Sequence, residues 1–513
     1  MFLEDLTREI LRGSNRRISS LENSRRSKRE ERVRRLRRST QTEQVISEGW
    51  PALWSERPEY NPFHVRSRAK TIAHAINSGI AAGTYAPHAP VAVKIEKRGG
   101  GFRVVNTYPI ADEAVSRLLY RRLLSKNLSR FSARSYAYRP DIGVHDAIAY
   151  VHSEIERRRR IYIAEYDFRA FFDHIDRSHL WWAARDMGFV ATRREKLLIQ
   201  AFLESPFFSG GSQRLDEPDM QKRGVPQGTA LALLLANVAA TPLDRELERL
   251  GVGFARYADD SLVWSSQYSA IGLAAEAYYS HAEKMGVSIG SEKSEGIRLL
   301  TSIEGRFEIP HTGAAVFLSH RISMDGVGLS MSAVDRAKGR LGKLIYDHLL
   351  REPIAGTQDM DRLGVVDRDY VSLIWQIRRY MYGRVSESAL RRRLRENPPS
   401  QRALGGFVAQ FPTVSRESDW LELDSWLKDH VMMAIRKRQK LLANRLDGVP
   451  LPWGLDYRSL ADLQSHSSRT GARVDLRLPS FVRMSRYVRQ LAVEYGASSV
   501  SSARSVYGMA DRW

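Results

Sequence analysis

Apolar and polar positions change their period several times along the chain, and each change marks an element. Over NPFHVRSRAKTIAHAINSGI, from residue 61, apolar residues recur at helical spacing. VAVKIEKRGGGFRVVNTYPI reads as two short strands joined at Gly99, Gly100 and Gly101. ADEAVSRLLYRRLLS returns to a helix. Residues 160–265 alternate strand and helix, and 280–325 add further short strands. From about 330 the pattern is mainly helical, with basic clusters such as RRYMYGR, LRRRLREN and IRKRQKLLANR. No internal repeat of fixed period stands out.

Three segments carry residues that packing alone does not call for. Ile161–Asp167, in IYIAEYDFRAFFDHID, is rich in β-branched and aromatic residues and reads as a core strand with Asp167 at its end. An unpaired carboxylate buried there would cost several kcal/mol, an objection that a divalent cation removes. FARYADDSLVW reads as strand, tight turn, strand around Ala258-Asp259-Asp260. Asp is common in turns, so this pair alone fits an ordinary turn as well as a site. In RGVPQGTALALLLANVAATPLDREL, Gly224, Pro226 and Gly228 punctuate a loop before a long apolar helix. An ordinary Gly/Pro helix entry explains that helix but does not require Gln227 at the junction.

Composition sharpens the picture. Of 513 residues, 80 are Lys or Arg and 59 Asp or Glu, a formal charge of +21. A polyanionic partner accounts for such an excess better than a small-molecule substrate does. The first 40 residues are charge-dense, as in RRSKREERVRRLRRS. They fit a solvated helix with i,i+4 pairs, a disordered tail, or an RNA-binding arm. The absence of cysteine excludes disulfides, Cys-type zinc fingers and a thiol nucleophile, and it fits a reducing cytoplasm. No apolar run approaches a membrane span, and MFLEDLTREI lacks a signal-peptide layout.

In this order the segments resemble the reverse transcriptases, especially bacterial ones related to group II intron, retron and antiphage-defence enzymes. KIEKRGGGFRVVNTYPIADEAV resembles the fingers motif, and SYAYRPDIGVHDAI the motif before the first catalytic strand. DFRAFFDHID, GVPQGTALALLLAN and RYADD resemble the three catalytic motifs. GVSIGSEKS resembles the lysine motif and VFLSHRIS the primer-grip strands. Together they span roughly residues 60–325.

The resemblance implies an α+β right-hand polymerase. Its parts are fingers, a ferredoxin-like palm (an antiparallel sheet plus helices) and a mainly helical thumb and C-terminal region. The implied divisions are a basic extension over 1–50, fingers and palm over 51–330, and a helical thumb with nucleic-acid-binding region over 331–513. It implies an RNA-directed DNA polymerase with two Mg²⁺ ions, Mn²⁺ being a substitute, held by Asp167, Asp259 and Asp260 with the backbone carbonyl of Phe168. Phe172 would be the aromatic gate that excludes a ribose 2′-OH. Lys97 and Arg103 would contact the triphosphate, Gln227 the incoming nucleotide, and Lys293 would protonate the leaving pyrophosphate. The implied partners are an RNA template, a DNA primer or product and dNTPs; homo-oligomerisation stays open. The second catalytic motif departs from the family, with Ala232-Leu233 where Ser-Pro is common, which implies a more regular helix. QIRRYMYGRVSE resembles thumb segments of bacterial defence enzymes. With the complete triad, Phe172, the +21 charge and a helical C-terminal region in place of mobility domains, a defence role with a structured noncoding RNA is the leading expectation. Untemplated or protein-primed synthesis, an intron maturase and a non-catalytic RNA-binding scaffold are the alternatives.

Overall fold

The computed structural model describes residues 2–36, 49–96, 102–208, 223–290, 294–363, 367–383, 385–395, 404–443, 464–466 and 473–500. The chain divides into two compact units. One is built on Met1–Asn23 and Glu48–Ala315, the other on Ser24–Ser47 and Val316–Tyr507. Among the described residues no helix is long and apolar enough to cross a membrane.

The first unit begins with helices α1 (Phe2–Leu36, of which it holds the N-terminal part), α2 (Ala52–Glu56), α3 (Pro62–Ser67) and α4 (Ala69–Ala82). An antiparallel hairpin follows, β1 (Val91–Glu96) with β2 (Phe102–Thr107), then α5 (Ile110–Asn127) and α6 (Val144–Ile155). The central strand β3 (Arg160–Arg169) leads into α7 (Phe171–His174), α8 (Arg177–Asp186) and α9 (Arg193–Glu204). The long helix α10 (Ala230–Arg249) precedes the hairpin β4 (Gly253–Tyr257) and β5 (Asp260–Ser265). Helix α11 (Tyr268–Met285) and the short strands β6 (Ser288–Ile289), β7 (Ile297–Thr301) and β8 (His311–Thr312) complete the unit.

The sheet runs β4-β5-β3-β7-β8, with β6 also paired to β3. All pairings are antiparallel except β7 with β8. Side chains alternate along β3, so Ala164, Tyr166 and Phe168 share one face and join the core under α10 and α11. The Tyr166 and Tyr278 rings stack there at 4.0 Å. Ile163, Glu165 and Asp167 take the other face. That face meets α6 through Tyr150, whose ring lies 5.5 Å from Trp264. This is the α+β arrangement that the resemblance implied. Helix α10 is continuous through Ala232-Leu233, and the proline it contains is Pro242.

The N-terminal segment is helical, yet its first part is not a solvated arm or a tail. Leu6 and Ile10 are fully buried, and both belong to the core cluster with Val115 and Leu119 of α5. Buried positions recur at Leu6, Ile10, Ser14 and Ile18, a helical stripe. Arg122 pairs with Asp5 at 2.9 Å, Arg17 with Glu113 at 2.9 Å, and Arg121 with Glu9. Charge density on three sides of α1 hides a narrow apolar stripe on the fourth.

The second unit is mainly helical, with Met331–Ile345, Arg368–Tyr382, Glu417–Leu442 and Phe481–Tyr495 as its longer helices. Its antiparallel pair His320–Ser323 with Gly326–Leu329 lies in the region that resembles the primer grip. A π-helical turn at Tyr346–Leu350 displaces backbone carbonyls from helical partners. Buried Arg438 takes up the Leu349 carbonyl at 2.9 Å while pairing with Asp367 and Asp369 at 2.9 Å each.

Candidate active site

The β3–β5 register places Asp167 directly opposite Asp260. The Asp167 carbonyl accepts from the Gly290 N–H at 2.7 Å, on the side away from β5. Asp167 and Asp260 are therefore a non-hydrogen-bonded pair, the kind whose side chains stand closest, with Cβ atoms about 4.5–5.5 Å apart. The next ladder bond is Phe168 N–H to the Asp259 carbonyl at 3.2 Å, which draws the turn against the strand. In an extended strand the N–H and C=O of one residue point the same way, so the Phe168 carbonyl faces that turn too. All three carboxylates are half-buried.

Two boundaries differ from the sequence reading. Strand β3 continues past Asp167 to Arg169 because Phe168 and Arg169 pair with Ile289 and Ser288 of β6. Asp260 is the first residue of β5 rather than part of the turn, which is Ala258-Asp259 alone, since Tyr257 pairs with Asp260. The first loop residue, Ala258, has φ +60°, a position where two-residue hairpins favour glycine, asparagine or aspartate.

The half-buried Phe172 follows a left-handed Ala170 (φ +48°) that turns the chain out of β3. Its ring meets Phe171 at 5.9 Å and Tyr138 at 6.4 Å, both edge-on. Tyr138 also approaches Tyr257, with ring centroids 6.4 Å apart, so one ring spans Phe172 and the aspartate hairpin. The glycine loop is fastened to the same turn. Val225 N–H donates to the Phe172 carbonyl at 2.8 Å, and Gly224 N–H to that of Ile175 at 2.8 Å. A Cβ on Gly224 would stand 2.6 Å from the Asp173 carbonyl oxygen, and one on Gly228 (φ +103°) would overlap that of Asn106. The loop carrying half-buried Gln227 is thereby clamped between β2 and the turn around Phe172. Thr229 accepts from Ala232 N–H at 3.1 Å and starts α10.

Three expected nucleotide contacts are not placed. Lys97 and Lys293 lie outside the described residues, and Arg103 is on β2 opposite Ile95 with its side chain outside them. Gly290, the last described residue before Lys293, borders the site: a Cβ on it would lie 3.6 Å from Asp167 Oδ2.

The sequence reading missed Arg256, fully buried on β4. Its fork engages buried Asp244 of α10, Nε at 2.7 Å and Nη2 at 2.6 Å. Nη2 also donates to Ser135 Oγ at 2.9 Å, and Nη1 to Asn237 Oδ1 at 3.2 Å and to the Ala258 carbonyl at 3.1 Å. Burial works against its charge, and the adjacent Asp244 carboxylate outweighs that, holding the guanidinium above its ordinary range. Two signals were legible: an arginine amid the apolar FARYA run and an aspartate at a core position of α10.

Among the described residues no group of three or more His, Cys, Asp or Glu is gathered so as to hold a metal ion by itself. Mg²⁺ does not require one, because it typically takes one or two carboxylates and completes its shell with water and substrate phosphates. The facing carboxylates and the nearby carbonyl are hard oxygen donors and fit such an ion. They also fit it electrostatically, since like charges directly opposite on a sheet repel until a cation intervenes.

Residues 95–325, which include this whole site, match the family model of the reverse transcriptase (RNA-dependent DNA polymerase). Protein YkfC of Escherichia coli (strain K12) is 26% identical over 211 residues, covering 40% of this chain and 53% of that protein. The chain thus spans about half the length of the curated relative it matches. Among solved structures, apo telomerase from Candida tropicalis, truncated from the C-terminal domain, is 13% identical with a TM-score of 0.36, over 52% of this chain and 60% of that one. An RNA-dependent RNA polymerase of a human picobirnavirus is 14% identical with a TM-score of 0.38, over 57% and 60%. At such scores these two likenesses carry no argument, and the match of residues 95–325 to the reverse transcriptase family model stands apart from them.

Proposed function

We propose that the protein synthesises DNA on an RNA template by two-metal nucleotidyl transfer, with Asp167, Asp259 and Asp260 as the ion-binding carboxylates. The observation that carries this reading is the register that sets Asp167 against Asp260 and ties Phe168 to Asp259. Divalent cations at these oxygens would supply charge neutralisation to the attacking and leaving oxygens of phosphoryl transfer.

The chain's own residues do the rest. The sheet sets Asp167 and Asp260 side by side on one face. Phe172, braced by Phe171 and Tyr138, presents a ring where a 2′-OH would clash. The clamped 224–228 loop brings Gln227 toward the nucleotide without freedom to swing. Lys97, Arg103 and Lys293 are proposed for the phosphates on the strength of their motifs alone. The charge of +21 supports a long phosphate-bearing ligand. We propose a structured RNA as template and bacterial antiphage defence as the setting, supported by the resemblance of residues 376–387 to defence-enzyme thumbs.

Extension of a DNA primer on a defined RNA template, with Mg²⁺ and each dNTP added in turn, tests the proposal. Template-directed incorporation is expected. Addition that ignores template sequence would overturn the templated reading and leave untemplated synthesis.

A further inference from the structure

We propose that Arg256 is a positioning residue for the aspartate turn, holding Ala258 in the left-handed conformation that sets Asp259 and Asp260 against Asp167. This rests on the reading of those aspartates as the ion-binding carboxylates, and it adds a residue whose side chain touches neither ion nor nucleotide.

The turn has a built-in difficulty. Two-residue hairpins need a positive φ at the first loop position, and glycine, asparagine or aspartate usually supplies it. Here the residue is Ala258, whose Cβ disfavours φ +60°. Such a conformation persists only when its surroundings over-determine it, and non-glycine residues of this kind cluster at functional sites. Ala258 is buried, so its carbonyl depends on a protein donor. That donor is Arg256 Nη1, at 3.1 Å, two residues upstream on the same strand.

Arg256 is itself held on every side. Asp244 grips its fork through two bonds, and Ser135 and Asn237 occupy the remaining directions. Its backbone is fixed as well: Arg256 N–H donates to the Arg134 carbonyl at 3.0 Å, and its carbonyl accepts from Tyr136 N–H at 2.9 Å. Asn237 donates in turn to the Ala137 carbonyl at 2.8 Å. A single guanidinium thus transmits the positions of α10 and of residues 134–137 to the turn. A core arginine serving stability alone would need Asp244. It would have no reason to spend a donor on the strained residue beside the site.

The test uses the full-length chain and three substitutions. Arg256→Lys keeps the charge but loses the fork that reaches Asp244 and Ala258 together. Asp244→Asn releases the fork with little change of shape and serves if the lysine variant folds poorly. Ala258→Gly removes the need for a brace, because glycine adopts positive φ freely. The readouts are Mn²⁺ binding by electron paramagnetic resonance, primer extension, and the thermal midpoint. Arg256→Lys or Asp244→Asn should weaken Mn²⁺ binding by about tenfold, the usual scale for an outer partner of a metal ligand. Adding Ala258→Gly should bring binding back to within about threefold of wild type, on that same scale, without restoring the midpoint. A lowered midpoint with unchanged Mn²⁺ affinity would overturn the proposal, and so would a loss that Ala258→Gly does not repair. A wild-type chain that extends no primer, with the Mn²⁺ loss and its repair intact, would sink the polymerase reading and leave the brace standing.

Discussion

Asp167 and Asp260 face each other across β3 and β5 as register partners, while the Asp167 carbonyl is engaged by Gly290 on the far side at 2.7 Å. Like charges so placed repel one another, and a cation between them relieves that repulsion. Asp260→Asn is therefore expected to stabilise the metal-free protein, by about 0.5 kcal/mol at low ionic strength. Urea unfolding with and without Mg²⁺ checks this. The gain should vanish when Mg²⁺ is added, and a destabilised metal-free variant would mean the two charges do not confront each other.

Phe172→Ala should open the sugar side of the nucleotide site. Discrimination against ribonucleotides, measured as the ratio of kcat/KM for dNTP and rNTP, should fall by about ten- to a hundredfold. An unchanged ratio would place the gate elsewhere. Tyr138→Ala should lower the ratio less, because it removes only a support of the ring.

Much of this site was legible in the chain itself. The alternation in IYIAEYDF gave the strand, and the resemblance of three motifs gave the carboxylates, the gate and the glutamine loop. What was not legible has physical reasons. The exact end of β3 depends on pairing with β6, a two-residue strand 119 positions away counted from Arg169 to Ser288, which local pattern cannot register. Arg256 stands out within the apolar FARYA run, but what it holds is not legible until its partners on other elements are known. The stripe Leu6, Ile10, Ile18 was outvoted by the charges around it.

The 224–228 loop yields a sharper test. Gly228→Ala would drive a methyl into the Asn106 carbonyl at φ +103°, and it should cost about 2–4 kcal/mol of stability and most of the activity. Gly251→Ala, at φ +68° with open space around it, is the control and should cost about 1 kcal/mol. Equal losses in thermal unfolding would show that the loop is not clamped.

His145 supplies a pH dependence. It is buried in α6, both ring nitrogens lack a hydrogen-bond partner among the described residues, and burial pushes its pKa down to about 4. Below the ordinary imidazole value the unfolded chain gains a proton that the folded one refuses. Stability should therefore fall as pH drops from about 6.5 toward 4, by up to about 3 kcal/mol from this group. His281, also pushed down to about 4, acts in the same direction. His145→Phe should flatten the slope of unfolding free energy against pH across that window while leaving the His281 share. An unaltered slope would mean His145 is charged in the fold.

If the aspartates opposed across β3 and β5 are the catalytic carboxylates of an RNA-directed DNA polymerase, removing two of them must abolish nucleotide transfer. The most direct measurement is single-turnover incorporation of one dNTP on an RNA-templated primer, wild type against Asp259→Ala/Asp260→Ala. Incorporation is expected from the wild type, and none above background from a double variant that keeps its thermal midpoint and its binding to template–primer. Incorporation persisting in that folded, nucleic-acid-binding variant would contradict the assignment of these carboxylates.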